Sequence, residues 1–164
     1  MDYPPTNHPS RYVFSVSSGR ILQEYQLIYI TEGKGRFCCE SLGRSKLIPV
    51  NSGMMFLLFP GEWHCYYPEK STGWKEYWIG FSGEFIDNLV SRGFFSKEAP
   101  LFKVNIHEDI VGLYSSAIEA AVNQESGFQQ VLAGIVGRLI RSGVFHDRNS
   151  QFQESDAAVK IESG

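Results

Sequence analysis

The sequence predicts a mostly β domain followed by helices: a β-barrel or sandwich over residues 12–104 and two long helices after it. Three observations carry this reading. Between Tyr12 and Phe81, short β-branched and aromatic runs alternate with turns rich in Gly, Pro, Asn and Ser, the pattern of an all-β sandwich or barrel. From residue 105 onward apolar residues recur at helical spacing instead. A chain of 164 residues with 43% apolar content can build one domain with its own core, and is too short for two comfortable ones.

The elements follow in order. Residues 1–11 carry Pro4, Pro5 and Pro9 and read as an extended N-terminal arm. "YVFSV" (12–16) is rich in strand formers. "YQLIYIT" (25–31) is a strand that ends at "EGKG" (32–35), where Gly33 and Gly35 supply the positive φ angles of a hairpin turn, and "RFCCE" (36–40) is the return strand. "KLIPV" (46–50), the turn "NSG" (51–53) and the buried run "MMFLLF" (54–59) come next, the last stopped by Pro60-Gly61. "WHCYY" (63–67) and "WKEYWIGF" (74–81) complete the strands. "GEFIDNLVSRGFF" (83–95) reads as a short helix with Phe85, Leu89 and Val90 on one side, ending at Gly93.

The helical segment is 105–148. "NIHEDIVGLYSSAIEAAVNQ" (105–124) has Asn105 as a cap with Glu108 three residues on, the spacing of a capping box. "GFQQVLAGIVGRLIRSGVFHD" (127–147) places Leu132, Ile135, Val136 and Leu139 on an apolar stripe. Apolar positions beyond what one stripe needs make that stripe the expected seam of a homodimer; its alternative is packing against the barrel's outer face. The polar tail, 149–164, reads as a linker.

Charge and cysteine usage exclude several functions. Lys and Arg total 15 against 18 Asp and Glu, giving a net charge of −3. A domain that grips nucleic acid needs clustered cations to displace counterions, and none is present. Cys38, Cys39 and Cys65 form no disulfide framework and no zinc spacing, which suits a reducing cytoplasm. No signal peptide or membrane span is written at the N-terminus, so no membrane partner is expected.

"FLLFPGEWHCYYP" (56–68) poses the functional question, because it sets His64 among aromatics. A metal-dependent enzyme on a barrel needs several ligands converging on one ion. Glu62 and Glu76 are the only carboxylates near His64 in sequence, and His8, His107 and His146 lie outside the strand region. No GxSxG elbow exists, and strand alternation aims Cys65 away from its neighbour His64. Neither a metal cofactor nor any other cofactor is therefore expected, nor catalysis. Binding fits better. His64 and Tyr66 share a face, as do Trp74, Glu76 and Trp78. Paired as a hairpin, the two strands gather aromatic walls and a few convergent polar groups, the usual make-up of a pocket. The plain alternative keeps Trp78 as core filler and His64 as a partner of a backbone carbonyl.

"YQLIYITEGKGRF", "VNSGMMFLLFPGEWHCYYP" and "WKEYWIGFSG" together resemble the N-terminal regulatory domain of AraC-type bacterial transcription factors. The carrying residues are Gly33 and Gly35, then Gly53, Phe56 to Leu58, Pro60, Gly61, His64 and Tyr66, then Trp74, Trp78, Ile79, Phe81 and Gly83. Met54 stands where the family usually has Asp. The resemblance spans about residues 20–145. It implies a cupin-like jelly-roll barrel that holds a small effector, of which sugars are one class, without a metal. It also implies paired helices that dimerise and a linker, 149–164, towards a helix-turn-helix DNA-binding domain absent from this chain, with "DAAVKI" (156–161) like that domain's opening. Contact with DNA would run only through that domain. Pocket positions carried over from arabinose-sensing members are Tyr66, Glu76 and Trp78, with Arg20 or Arg11 for their sugar-clamping arginine. Glu76 replaces a histidine of the arabinose sensor, which argues for a different ligand. A cupin-type metalloenzyme and a stand-alone carbohydrate-binding module are the alternatives.

Overall fold

A computed structural model gives the fold and describes residues 18–124 and 126–162. The expected strand at 12–16, the arm and Arg11 lie outside the described residues. Among those described are seven strands and three helices. They divide into two compact units at Leu101/Phe102.

The first unit is an antiparallel sheet organised around one long strand. β1 is Arg20–Ile21, β2 Tyr25–Cys39, β3 Ile48–Asn51, β4 Met54–Leu58, β5 Trp63–Pro68 and β6 Trp74–Phe81. The early part of β2 pairs with β4 and with β6. Its later part pairs with β3 and with β5, and β5 pairs in turn with β1. One strand thus serves two half-sheets.

This corrects the hairpin expected at "EGKG". Residues 25–39 are a single strand that bends instead of reversing. Between Ile30 and Glu32 the register against β6 slips by one residue, a β-bulge. Gly33 has φ 78°, and a Cβ there would stand 2.0 Å from the Gly73 carbonyl oxygen. A Cβ on Gly35 would meet the Tyr67 carbonyl at 2.2 Å and the Trp74 ring at 2.6 Å. Both glycines allow neighbouring backbone to cross at the bend. A hairpin and a bend demand the same residue type, so the sequence alone does not separate them.

The bulge has a second effect. Side chains alternate across a strand, so one inserted residue switches which positions face inward. Ile28 and Ile30 face the core before it, and Phe37 and Cys39 after it. Val50, Phe56, Leu58, Tyr66 and Trp74 complete that core from four other strands. Phe37 and Phe56 pack at 5.3 Å between ring centroids, and Phe56 meets Tyr66 edge-on at 5.2 Å. In the β3–β4 turn the Met54 sulfur accepts the Asn51 N–H at 3.3 Å.

Helix α1 (Glu84–Ser91) is shorter than expected and buries Ile86, while Phe85 is exposed. Its end is set by Gly93, at φ 80°, with the Phe94 N–H returning to the Leu89 carbonyl at 3.0 Å, a Schellman-type stop. The hydroxyl of Tyr25 donates to Asp87 at 2.9 Å and ties the helix to β2. Strand β7 (Leu101–Lys103) follows; just before it, the Pro100 carbonyl accepts the Leu57 N–H of β4 at 3.0 Å.

The second unit is a helical hairpin, α2 (Glu108–Asn123) and α3 (Phe128–Glu162). The start of α2 lies beside the middle of α3, where Asp109 meets His146, so the two run antiparallel. The capping box is not formed. Asn105 adopts φ 65° and turns the chain, and His107 is the cap residue without a side-chain cap bond. Asn tolerates that left-handed conformation, so it serves the turn instead of the cap. Residues 149–162, read as linker, continue α3.

Replacing Gly33 by Val should cost about 1–3 kcal/mol, since a β-branched residue is strained at that φ and collides with Gly73. Urea denaturation of the variant checks this. An unchanged midpoint would show that the bend does not need glycine.

Candidate functional site

The polar side chains of the first unit converge on Arg20. In the sheet register Arg20 lies opposite His64, which lies opposite Cys39 on the other side. Arg20, His64, Tyr66, Phe37 and Cys39 therefore share the inner face. Arg20 Nε donates to His64 Nε2 at 3.3 Å, and Arg20 Nη2 donates to the Tyr66 hydroxyl at 2.9 Å and to Gln26 Oε1 at 3.5 Å. The guanidinium also lies 5.7 Å from the centre of the Tyr66 ring. The fork thus joins β5 to the early part of β2.

That bonding fixes the state of His64. Arginine has only donors, so Nε2 must accept; the proton sits on Nδ1, which donates to the Glu62 carbonyl at 3.2 Å. Burial pushes the His64 pKa down from 6.5 to about 4, opposed by the Glu62 carbonyl and assisted by the Arg20 charge. Both ring nitrogens are engaged, and a fixed cation stands on the one that would face a metal. His64 and Arg20 together are unsuited to holding an ion.

The tryptophans differ from one another. Trp74 is fully buried and stacks on Tyr66 at 6.1 Å, and the His64 ring also stacks on Tyr66 at 6.1 Å. The buried Trp74 indole N–H has no hydrogen-bond partner among the described residues. Trp78 lies opposite Ile28 and is 36% exposed, so it is not core filler. Glu76 lies opposite Ile30, buried and on the same face of β6 as Trp74 and Trp78.

The expected residues therefore come to one inner face, by a route that differs from the expected one. Strands β5 and β6 do not pair with each other; each pairs with β2, and the bend in β2 brings their inner faces together. His64 does bond a carbonyl, as the plainer alternative had it, and also joins Arg20. Gln26 was missed: a lone glutamine in an apolar strand carries no sequence signal. Glu62 is buried and accepts both the backbone N–H of Ser41, at 2.7 Å, and its hydroxyl. A cavity of about 10 Å³ beside His64 and Glu62, closed by Phe37, Leu58 and Pro100, has room for about one water molecule.

Two of the three cysteines, Cys38 and Cys39, are held as thiols. Cys39 belongs to the inner core, while Cys38 and Cys65 pair on the opposite face. Burial and the neighbouring Cys65 push the Cys38 thiol up to about 12, and burial raises Cys39. A thiol must ionise to attack.

On the helical hairpin, Ile135 and Leu139 are buried within the chain and Leu132 and Val136 half-buried. Among the described residues, the large exposed apolar side chains of the pair are Ile118, Val122 and Val131.

This architecture defines a class, a cupin-like ligand-binding domain with trailing helices. The profile of the AraC-like ligand binding domain matches residues 7–157; the chain belongs to that family. It is also similar to the Raffinose operon transcriptional regulatory protein RafR of Pediococcus pentosaceus, with 29% identity over 105 residues, covering 62% of this chain and 37% of that protein. The chain thus spans little more than a third of that relative's length. No helix among the described residues is long and apolar enough to cross a membrane.

The His64 shift sets a pH dependence. Unfolded, the ring takes up a proton near pH 6.5; folded, only near 4. Between those values protons favour the unfolded chain, so stability falls as pH drops from about 6.5 towards 4. On going from pH 7 to pH 5, the wild type should lose about 1–2 kcal/mol more than His64→Gln, read from urea midpoints. Equal losses would show that His64 is not buried neutral.

Proposed function

We propose that this chain is the effector-sensing and dimer-forming part of an AraC-type transcription regulator, without catalytic activity, acting in the cytoplasm. The effector is a small neutral molecule rich in hydroxyl acceptors, a carbohydrate being the class the site suits best. DNA is contacted through a separate domain.

The observation that carries this reading is the Arg20 fork. Its guanidinium is exposed, yet held by Tyr66, His64 and Gln26. It presents fixed donors beside an aromatic wall. Trp78, half-open on the same inner face, offers a flat surface for sugar C–H groups, and buried Glu76 can accept from hydroxyls. The unsatisfied Trp74 N–H is a further donor available to a hydroxyl or water. The cavity beside His64 is too small for a sugar, so the proposed ligand lies against exposed Arg20 and Trp78. The name of the similar raffinose-operon regulator is consistent with an oligosaccharide, although the replacement at Glu76 separates this site from an arabinose pocket. A cupin metalloenzyme is disfavoured because the Arg20 cation donates to His64 Nε2.

Calorimetric titration with a panel of mono- and oligosaccharides, raffinose included, should find at least one saturable ligand that changes tryptophan fluorescence. Arg20→Ala should weaken it by about 10–100-fold, the loss of hydrogen bonds from a charged donor. Saturable binding unchanged by that substitution would overturn the assignment of the site, and a panel with no binder would overturn the sugar class.

Dimerisation rests on the helical hairpin. Of the four residues expected at the seam, Ile135 and Leu139 are packed inside the subunit, which leaves half-buried Leu132 and Val136 to border the proposed seam. Val122 and Val131, 75% and 53% exposed, supply the outward face. Sedimentation across a concentration series should show a dimer that Val131→Asp converts to monomer. A monomer at high micromolar concentration would remove the seam.

A further inference from the structure

The helical hairpin carries a cluster that the effector site does not use. His107 caps α2, Asp109 sits in its first turn, and His146 lies on α3. The two imidazole rings stack at 3.7 Å between centroids, 19° from parallel. His146 Nε2 stands 3.9 Å from Asp109 Oδ2, and one ligand atom from each of the three residues falls within 4.8 Å of the others. Both histidines are half-buried and the carboxylate is exposed, so an ion has access from solvent. The same end of the hairpin is already held together, since the Lys103 N–H donates to Asp147 at 3.2 Å.

We propose that His107, Asp109 and His146 form a binding site for a divalent first-row transition ion such as Zn²⁺, and that the ion cross-links the first turn of α2 to α3. The donor set decides the class of ion. Two imidazole nitrogens and one carboxylate oxygen suit Zn²⁺, Ni²⁺ or Fe²⁺, whereas Mg²⁺ and Ca²⁺ prefer oxygen ligands throughout. Three protein ligands leave positions for water. Bonds of about 2.0–2.2 Å, made in the plane of each imidazole, require the side chains to draw in and the two rings to turn out of their present stack, which tightens the hairpin. An ion held by both imidazoles and the carboxylate uses all three groups at once. No spacing motif announces the site, because His146 comes from another helix and is brought to His107 only by the antiparallel turn. The proposal is independent of the effector site.

The untagged, metal-stripped chain is titrated with Zn²⁺ by calorimetry, and its thermal midpoint is measured with Zn²⁺ and with Mg²⁺. The expected result is one ion per chain, with a thermal midpoint raised by Zn²⁺ and unmoved by Mg²⁺. His146→Ala should weaken Zn²⁺ uptake by about tenfold or more and abolish the thermal shift; Asp109→Asn, at an exposed residue that leaves the fold intact, should weaken it less. Absence of saturable Zn²⁺ uptake, uptake unchanged in both variants, or an equal response to Mg²⁺ would overturn the proposal.

Discussion

The first unit depends on one strand bending where it could have reversed. β2 supplies the pairing edges for β4 and β6 before the bend and for β3 and β5 after it. Were residues 25–31 and 36–40 to pair with each other as a hairpin, β5 and β6 would lose the partner they share. The bend is enforced by absence of side chain: at Gly33 and Gly35 the neighbouring backbone comes within about the distance that a Cβ would fill. The one-residue bulge upstream reverses the strand's alternation, so that Ile28 and Phe37 face one core despite their odd separation. Packing and site geometry both follow from these few residues.

The functional face inherits that arrangement. Arg20 on β1 reaches His64 and Tyr66 on β5 and Gln26 on β2, groups that converge only because β2 belongs to both half-sheets. Burial holds His64 neutral, so the permanent positive charge of the trio is the guanidinium. A charged donor is worth more than a neutral one in a hydrogen bond. The result is a polar centre that selects acceptors and repels cations, set in aromatic surroundings.

How much of this could be read from the residues depends on the range of the physics involved. Alternation is local, and it placed Tyr66 with His64, Trp74 with Trp78, and Cys38 opposite Cys39. Helical periodicity is also local, and it located α2 and α3. The hairpin at "EGKG" failed because a positive-φ glycine is required by a bend and a turn alike, and only the identity of the partner strand separates them. The capping box failed for a similar reason: Asn105 suits both an N-cap and a left-handed turn, and the chain's path chose the turn. The polar tail hid a helix because its residues lack an apolar stripe. Gln26, the orphaned Trp74 N–H and the His107–His146 pair are products of tertiary approach, and no window along the chain contains them.

A site that senses must differ in affinity between two states of the protein, since a ligand shifts an equilibrium only by that difference. The hydrogen bonds of Arg20 show where such a difference arises. Its bond to Tyr66 is short, whereas its bond to Gln26, at 3.5 Å, is at the limit of a useful one. A ligand acceptor would replace the weak bond first and leave the strong one, so little is lost on entry. Arg20 belongs to a strand of two residues that, among the described residues, pairs with β5. In the proposed site, β5 and β6 supply the groups fixed by their pairing with β2, and β1 supplies the weakly held one.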